Sequence, residues 1–335
     1  MIGVDGEAIS AAVREVFLSL GVPLEGADWI AECLVGADLS GHPSHGVYRV
    51  REYYEACRSG RVDPQAVPRV VAEKSPGSLM IDGSGGFGQI VGRYAADVVS
   101  KRAAQHGMAA AAIFHSGHVG RLADHVRFLA ERGQIGLMTA NDAGANLVVP
   151  RPGGGVGRLG TNPFAFAVPR KTAPHLVMDF ATSETSYGSL VVGRRRSGVS
   201  SETGGAYNSL LPSFGGYKGF GLSLLVEILS GVLTTAGWST GAEREESQGS
   251  FLMAIDPEYF CGLGYLQTAV EEVLEWVQSP ESGTEDQYTA PGLLGNLRRR
   301  SSGNLVSVDS TTWAELVGVM EACEVKAPSV ARDGP

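Results

Sequence analysis

The hydrophobic period of the chain changes near residue 60, and this change constrains the fold more than any other sequence feature. Before it, apolar residues recur at the three- and four-residue spacing of amphipathic helices, as in residues 8–20. A further helix is expected from Ser44 through Tyr54, with Ser44 as its N-cap. After the change, short segments rich in β-formers alternate with helical ones, which is typical of an α/β sheet. The sequence therefore predicts helices first and an α/β unit second.

The 335 residues, of which 43% are hydrophobic and 19% charged, are enough to bury a sizeable core. The stretch 194–213 is rich in Ser and Gly and is expected to be a loop. Strands are predicted at 109–114, 135–139, 164–168 and 176–180, and helices at 89–105, 121–131 and 217–233.

Composition excludes several classes of function. A formal charge of −9 gives no field that would gather nucleic acid. The four cysteines are scattered without metal-ligand spacing, which argues against a zinc site or a disulfide framework and favours a reducing compartment. The N-terminus does not read as a secretory signal, and the most apolar stretches are too short to cross a bilayer. We therefore expect a cytoplasmic protein with no metal and no membrane partner.

A formal G-x-G-x-x-G motif, Gly83-x-Gly85-x-x-Gly88, lies between a predicted strand and a predicted helix. This is the context of the dinucleotide-binding fingerprint, in which glycines let the backbone approach a pyrophosphate. The fingerprint also requires an acidic residue about 20 residues further on to hold the ribose. Residues 108–115 supply none. A tight structural turn is therefore the preferred interpretation.

The segment 42–46, His-Pro-Ser-His-Gly, is followed by Arg49 and Tyr53. On a helix beginning at Ser44, the side chains of His45 and Arg49 would share one face. An imidazole can move a proton, and a guanidinium can hold a carboxylate by two parallel hydrogen bonds. The segment predicts a site for an anionic substrate, with a surface arginine beside a capping serine as the alternative.

Further candidates follow predicted strands or glycine-rich turns. His118 comes after the strand 109–114, where helix N-termini offer N–H groups to anions, and it is a second candidate imidazole or a simple turn histidine. Asp179 ends an apolar strand and could orient a histidine or cap a helix. The glycine loop 153–160 and Lys218 could contact a ligand, or they could be an ordinary loop and a solvated lysine.

In this order, the segments together resemble the type 2 malate/L-lactate dehydrogenase family, which includes ureidoglycolate and sulfolactate dehydrogenases and reductases of cyclic imino acids such as Δ1-piperideine-2-carboxylate. The resemblance spans residues 41–222. The segments that carry it are GHPSHG at 41–46 with Arg49 and Tyr53, Asp82-Gly83, Gly88, His118, Gly120, LGTNP at 159–163, MDFATS at 178–183 and GGYKGFGL at 215–222.

The resemblance implies an α/β fold in which NAD or NADP is held on a mixed sheet that is not a Rossmann fold. An α-helical domain built from the N- and C-terminal segments would lie beside it. The expected division is a helical segment at 1–72, a cofactor-binding domain at 73–250 and a C-terminal segment at 251–335 that packs back on the helices. The family also implies a homodimer whose subunits interlock.

Residue roles can be carried over from the family to matching positions. Ser44 and His45 would form a relay with Asp179, and Arg49 with Tyr53 would bind the substrate carboxylate. His118 would contact the nicotinamide or act as the alternative acid. The remaining cofactor contacts implied by the resemblance are Gly120, Gly160, Thr161, Asn162, Gly216 and Lys218.

Two segments depart from the family pattern. Residues 185–217 lack the expected Trp and Asp and carry three consecutive arginines at 194–196, and the family's Pro-Gly-Glu ends here in Leu293. We therefore expect a more open pocket and a substrate larger or more anionic than malate or lactate.

The predicted activity is the NAD(P)H-dependent reduction of a 2-oxo or cyclic 2-imino carboxylic acid, or the reverse oxidation of a 2-hydroxy acid, in a biosynthetic pathway. One alternative is an enzyme that has lost redox chemistry and uses Ser44, His45 and Asp179 for acid–base catalysis. The other is a non-catalytic dimeric binding protein.

Overall fold

The computed structural model describes residues 1–141, 147–196, 210–239, 248–279 and 289–331. Its α-helices are α1 (Gly6–Ser19), α2 (Leu24–Leu39), α3 (Val50–Arg58), α4 (Gly88–His106), α5 (Leu122–Ala130), α6 (Tyr187–Arg196), α7 (Tyr217–Glu227), α8 (Leu263–Gln278), α9 (Leu293–Ser301) and α10 (Ser310–Ala322). Its strands are β1 (Ile2–Asp5), β2 (Arg69–Ser75), β3 (Ser78–Gly86), β4 (Met108–Ser116), β5 (Ile135–Ala140), β6 (Val149–Pro150), β7 (Gly157–Leu159), β8 (Phe164–Val168), β9 (Leu176–Phe180), β10 (Gln248–Ile255), β11 (Leu305–Val308) and β12 (Val330–Ala331).

A seven-stranded mixed sheet forms the centre of the fold, in the order β2-β3-β4-β10-β5-β8-β9. Only β3 and β4 run parallel, with α4 between them along the chain, while the other neighbouring pairs are antiparallel. A dinucleotide-binding Rossmann sheet is mostly parallel. The sheet therefore confirms the expected α/β fold with a mixed, non-Rossmann sheet.

Two large hydrophobic cores hold the described part of the chain together, and a third, smaller cluster includes Val149 and Leu159. One lies between the sheet and helices α4 and α5, where alanines of β4 and β10 such as Ala111 and Ala254 are fully buried. The other joins both ends of the chain, since Phe17 and Ile30 of the first helices pack in one cluster with Met320 of α10. β1 also pairs with β11 and β12. The predicted boundaries at 72/73 and 250/251 stay predictions.

Gly88, the last glycine of the G-x-G-x-x-G motif, allows the first turn of α4 to lie against the turn after β4. A Cβ at this position would stand 2.5 Å from the backbone of His118 and would overlap the carbonyl oxygen of Gly117. Gly85 has a positive φ of 73°, which favours glycine. The motif therefore serves a close contact between two backbone segments.

Two local predictions are wrong. Residues 44–54 do not form one helix, because Pro43–His45 and Val47–Arg49 are 3₁₀ turns separated by an extended Gly46, and α3 begins only at Val50. The three arginines at 194–196 end α6 and do not belong to a loop. Of the rest of the predicted loop, residues 197–209 lie outside the described residues, and residues 210–213 form no helix, with Ser213 in an isolated bridge to Ser183.

The predicted helix 217–233 is α7 followed by one π turn, Ile228–Val232. Within the described ranges, no helix is both long and apolar enough to cross a membrane.

Replacing Gly88 by alanine tests the close contact. Gly88→Ala should lower the free energy of unfolding by about 2 kcal/mol or more, because two backbone segments must separate to admit the methyl group. The matched control is Gly318→Ala in α10, where a Cβ meets nothing within 4 Å. That change should stabilise the protein by about 0.5–1 kcal/mol, since alanine is the better helix former. Denaturant unfolding measures both, and equal effects would contradict the contact.

Candidate functional site

The described residues bound a cleft of about 2010 Å³. Its walls come from the 3₁₀ turns before α3, the turn after β4, the N-terminus of α5, the end of β9 and the first turns of α9. Seven arginines line it against three carboxylate side chains. The cleft therefore has the size and the charge to take an anionic ligand.

Two histidines stack on each other in the wall of the cleft. The ring centroids of His45 and His118 are 5.7 Å apart, and the planes differ by 17°. The hydroxyl oxygen of Ser44 lies 3.2 Å from Nδ1 of His45, and that of Tyr53 lies 2.7 Å from Nδ1 of His118. Each imidazole is thus held through Nδ1, and among the described residues neither Nε2 atom has a partner.

Burial lowers the pKa of both imidazoles below the ordinary value of 6.5. Neighbouring positive charge acts in the same direction. For His45 the neighbours are, in order, His118 and Arg49, with smaller effects from Arg121 and His42, and for His118 the neighbour is Arg49. Both rings are therefore neutral near pH 7.

The backbone around His45 depends on Asp38, near the end of α2. A carboxylate oxygen of Asp38 accepts a hydrogen bond from the Val47 N–H at 2.8 Å. The same carboxylate overlaps the position that a Cβ of Gly46 would take, so only glycine fits there. Burial raises the pKa of Asp38 to about 7, although the Val47 N–H, Arg196 and Arg121 oppose this.

Arg49 is fixed beside the histidines. Its Nε donates to the Ser44 carbonyl oxygen at 2.9 Å, and its Nη1 donates to Glu52 at 2.5 Å. Burial alone would lower the pKa of Arg49, but Glu52 and the hydroxyls of Tyr53 and Tyr48 raise it overall. The guanidinium therefore stays charged, and part of its hydrogen-bonding fork is occupied by Glu52.

Tyr53, predicted to bind substrate, is 4% exposed and contacts His118. Its hydroxyl accepts a hydrogen bond from Nε2 of Gln89 at 2.8 Å. Gln89 is 1% exposed, and its Oε1 has no partner. Burial raises the pKa of the Tyr53 hydroxyl, so the phenol keeps its proton.

Asp179 borders the cleft at the end of β9, but its hydrogen bond does not go to His45. A carboxylate oxygen of Asp179 accepts from the Ala123 N–H at 2.8 Å, at the N-terminus of α5. Burial raises the pKa of Asp179 to about 6 against the effect of that N–H and of Arg121. The predicted relay with Ser44 and His45 is therefore not hydrogen-bonded through Asp179 in this structure.

Of the predicted cofactor contacts, His118, Gly120, Thr161 and Asn162 line the cleft. Asn162 is 1% exposed and has a positive φ of 39°. Its Nδ2 donates to the Ser223 carbonyl oxygen at 3.0 Å and to Glu227 at 2.8 Å, which leaves its buried Oδ1 without a partner. The three contacts that do not line the cleft are Gly160, Gly216 and the exposed Lys218, and their roles stay predictions.

The two departures from the family pattern occupy different places. Arg195 of α6 borders the cleft, but it is paired with Glu315 at 2.7 Å and lies over the Tyr48 ring at 4.9 Å. Leu293 begins α9 and is not in the cleft wall, whereas Gly292 before it is. The arginine run is therefore partly neutralised by an acidic partner.

Sequence reasoning missed three residues of the site: Gln89, Asp38 and Arg121. Arg121 is 7% exposed, borders the cleft, and is paired with Asp124 at 2.5 Å. For Gln89 the available sequence signal was the G-x-G-x-x-G motif, because Gln89 directly follows its last glycine, Gly88. No side-chain cluster that could hold a metal ion is found within the described residues.

The fold and the cleft define this protein as an α/β protein with two neutral imidazoles and a charged guanidinium in the wall of an arginine-rich cleft. Comparison with known proteins gives the family. The family model described as malate/L-lactate dehydrogenase matches residues 4–209 and 199–317. The chain belongs to this family, which confirms the resemblance seen in the sequence. It is an oxidoreductase of a family that uses a nicotinamide cofactor.

Two relatives and one solved structure illustrate the similarity. A malate dehydrogenase of Pyrococcus horikoshii is 35% identical over 311 residues, covering 85% of this chain and 84% of the relative. A Δ1-pyrroline-2-carboxylate/Δ1-piperideine-2-carboxylate reductase of Pseudomonas syringae pv. tomato is 32% identical over 284 residues, covering 78% and 81%. The solved structure of malate dehydrogenase from P. horikoshii OT3 has a TM-score of 0.87 at 30% identity and covers 97% of each chain.

Asp38 should make the stability depend on pH. The pKa of Asp38 is raised from 3.8 to about 7 on folding. The contribution of the protonated carboxyl to the free energy of unfolding is therefore complete below about pH 4, and it is lost as the pH rises through 7. Asp38→Asn keeps an acceptor for the Val47 N–H and removes the ionisation. The variant should lose less stability than the wild type between pH 5 and pH 8, by about 2–4 kcal/mol.

Denaturant unfolding at the two pH values measures this difference. Asp28→Asn, at an exposed position of the same helix, is the matched control and should keep the wild-type dependence. Identical pH dependence in Asp38→Asn and the wild type would show that Asp38 ionises normally.

Proposed function

We propose that the protein reduces a 2-oxo or cyclic 2-imino carboxylic acid with NADH or NADPH, or oxidises the corresponding 2-hydroxy acid. The observation that carries the proposal is the stacked His45–His118 pair beside Arg49 in an arginine-rich cleft. Reduction adds a hydride to C2 and a proton to the attached oxygen or nitrogen. The first comes from a cofactor, and the second needs a positioned acid.

The residues of the cleft fit a nicotinamide cofactor, which supplies or accepts the hydride when bound. Asn162 Oδ1 is a buried acceptor without a partner in the cleft wall, suited to the N–H donors of a carboxamide. The arginines of the wall suit the phosphates of a dinucleotide. Gly120 and Thr161 would contact the cofactor alongside His118. Among the described residues of the cleft, nothing selects NAD over NADP.

His45 is assigned as the group that moves the proton. Its Nδ1 faces the Ser44 hydroxyl, which can donate or accept and therefore tolerates both protonation states of the ring. His118 instead faces the Tyr53 hydroxyl, whose oxygen already accepts a hydrogen bond from Gln89 Nε2 and is therefore less free to accept one from a protonated Nδ1. A bound carboxylate beside His45 would raise the imidazole pKa and favour the charged acid. His118 then orients the ligand.

Arg49 is proposed to hold the substrate carboxylate. Its Nε and Nη1 bonds to Ser44 and Glu52 fix the plane of the guanidinium, so little side-chain entropy is lost on binding. Arg298 and Arg299 add positive charge elsewhere in the wall, which supports a substrate more anionic than lactate. Arg127 adds less, because Asp124 lies 3.5 Å from it. Arg195 adds less, because Glu315 pairs with it.

The acid–base alternative without redox chemistry is disfavoured, because the Asp179 carboxylate accepts a hydrogen bond from the Ala123 N–H and not from His45.

We also propose a homodimer. An apolar face of α7 and the π turn after it supports this, since its side chains are about half exposed: Leu224, Leu225, Ile228, Val232 and Leu233. The four cysteines are free thiols. The cytoplasmic location stays a prediction.

The activity is tested by following the absorbance of NADH or NADPH with the purified protein. The acids to be offered are pyruvate, oxaloacetate, longer 2-oxo dicarboxylates and Δ1-piperideine-2-carboxylate. We expect cofactor oxidation with at least one of them, and more efficient turnover of the dianionic acids than of pyruvate. Binding of neither cofactor by calorimetry, together with no turnover of any acid, would overturn the proposal.

His45→Asn should lower kcat by about 10²–10⁴ and change the Kd for NADH or NADPH by less than about twofold, because a general acid acts in the transition state. In the wild type, oxidation needs the neutral imidazole, so kcat/KM should fall only at a pH below the ordinary histidine value of 6.5. This acidic limb should be absent from the variant.

The matched control is His115→Asn. His115 is an exposed residue at the rim with a positive φ of 52°, which asparagine tolerates. Its kcat should stay within a few-fold of the wild-type value. If His45→Asn retains full turnover, the proton is moved by another group, and His118 is the first candidate.

A further inference from the structure

We propose that Gln89 is a positioning residue that sets the tautomer of His118 through the Tyr53 hydroxyl. In this tautomer His118 carries its proton on Nε2 and selects a hydrogen-bond acceptor, such as a carbonyl oxygen, from a bound ligand. The identity of that acceptor rests on the proposed function. The tautomer itself follows from the hydrogen bonds and does not depend on it.

Three side chains form a short chain of hydrogen bonds at the back of the cleft. Gln89 Nε2 lies 2.8 Å from the Tyr53 hydroxyl oxygen, which lies 2.7 Å from His118 Nδ1. Gln89 and Tyr53 are 1% and 4% exposed, so bulk water does not compete for these bonds. The tautomer of His118 is therefore determined by protein groups alone.

The direction of the chain fixes the position of each proton. An amide nitrogen only donates, so the Tyr53 oxygen accepts from Gln89 and turns its own hydrogen towards His118. His118 Nδ1 must then accept, and in a neutral imidazole the proton lies on Nε2. Burial and the nearby Arg49 lower the pKa of His118, so the ring is neutral and carries one proton.

A turned Gln89 amide would reverse the chain, so the orientation of the amide matters. In the observed orientation the buried Oε1 is the atom without a partner. In the turned orientation an NH₂ group would occupy that place, with both hydrogens unsatisfied. Orphaned buried N–H groups are rarer in proteins than under-satisfied carbonyl oxygens. The observed orientation is therefore the more stable of the two.

The backbone holds Gln89 firmly in place. The indole N–H of Trp29 donates to the Gln89 carbonyl oxygen at 3.0 Å, which ties α4 to α2. A Cβ at Gly120 would stand 3.2 Å from Gln89 Nε2, so the glycine leaves room for the amide. Gly88, one residue earlier, lies against the backbone of His118. The G-x-G-x-x-G motif thus positions the amide that orients the histidine.

The tautomer has a consequence for ligand choice. An Nε2–H group attracts a carbonyl or carboxylate oxygen and repels the N–H of a protonated cyclic imine. The acceptor could belong to a 2-oxo acid or to the carboxamide of the cofactor. Measuring the binding of a 2-oxo acid analogue and of the cofactor separately distinguishes these two sources.

The tautomer is measured by NMR of the protein labelled with ¹⁵N in its seven histidines. The His118 signals are assigned by their loss in His118→Gln. We expect a neutral wild-type ring at pH 7.5 with the proton on Nε2. In Gln89→Met, which keeps the side-chain length but has no amide, the Tyr53 hydroxyl is free to turn, and the signals should move towards a mixture of tautomers.

The matched control is Gln134→Met. Gln134 is 2% exposed, donates to the Ser100 carbonyl oxygen at 3.0 Å and to Asp256 at 3.5 Å, and also has a buried Oε1 without a partner, but it has no hydrogen bond to Tyr53 or His118. It should lose similar thermal stability and leave the His118 signals unchanged. This comparison separates the positioning role of Gln89 from the cost of removing any buried amide.

Binding is measured by calorimetry with two probes used separately: oxamate, a carboxylate with an adjacent carbonyl oxygen, and NADPH. Gln89→Met should weaken one of them by about 3–10-fold, the loss expected for one hydrogen bond. The probe affected identifies the source of the acceptor oxygen. A changed tautomer with unchanged affinity for both would overturn ligand selection by His118.

A wild-type His118 with its proton on Nδ1, or signals unaffected by Gln89→Met, would overturn the positioning role. If Gln89→Met does not fold, the same signals are measured in Gln89→Glu, whose carboxylate accepts from the Tyr53 hydroxyl and should move the His118 proton to Nδ1. An unchanged Nε2 proton in that variant would also overturn the positioning role. An Nε2 proton in a protein that neither binds nor oxidises NADH or NADPH would leave the positioning role standing and remove the proposed function.

Discussion

The close contact between the first turn of α4 and the turn after β4 is the constraint on which the site depends. It exists because Gly88 has no side chain to separate the two backbones. It places Gln89 beside Tyr53, which belongs to the core of the helical part of the chain, and His118, which follows a strand of the sheet. The site is therefore built where the two hydrophobic cores meet, and neither part could form it alone.

The electrostatics of the cleft follow from burying many polar groups in one place. Most arginines of the wall are held by a nearby carboxylate, as in the Arg49–Glu52, Arg121–Asp124 and Arg195–Glu315 pairs. Their charge remains, because a guanidinium does not release its proton. The imidazoles respond in the opposite way and become neutral, since burial and positive neighbours both disfavour their charged form. A bound carboxylate would reverse part of this shift.

Much of the fold could be predicted from the sequence because its signals are local. The 3.6-residue period gave α1, and the short apolar runs gave β8 and β9 with the observed bounds. The absence of an acidic residue after the glycine motif argued against a Rossmann fold, and the mixed sheet agrees with this. The error at residues 44–54 has a local cause that periodicity does not report. Pro43 and the extended Gly46 divide the segment into turns, and the carboxylate of Asp38 near the end of α2 fills the space that a side chain at Gly46 would need.

By itself, the sequence determined the residue types of the site, namely two imidazoles, a guanidinium and the strand-end carboxylate, and the order that identifies the family. Only the tertiary structure decided how they are paired. Asp179 accepts a hydrogen bond at the N-terminus of α5, and Glu52 accepts one from the Arg49 guanidinium. Gln89 is connected to His118 through the Tyr53 hydroxyl. These pairings join residues up to 65 positions apart, and they depend on the directions of side chains in a packed interior. Periodicity and motif spacing describe neighbours along the chain, whereas hydrogen-bond partners and the resulting pKa values are set by neighbours in space.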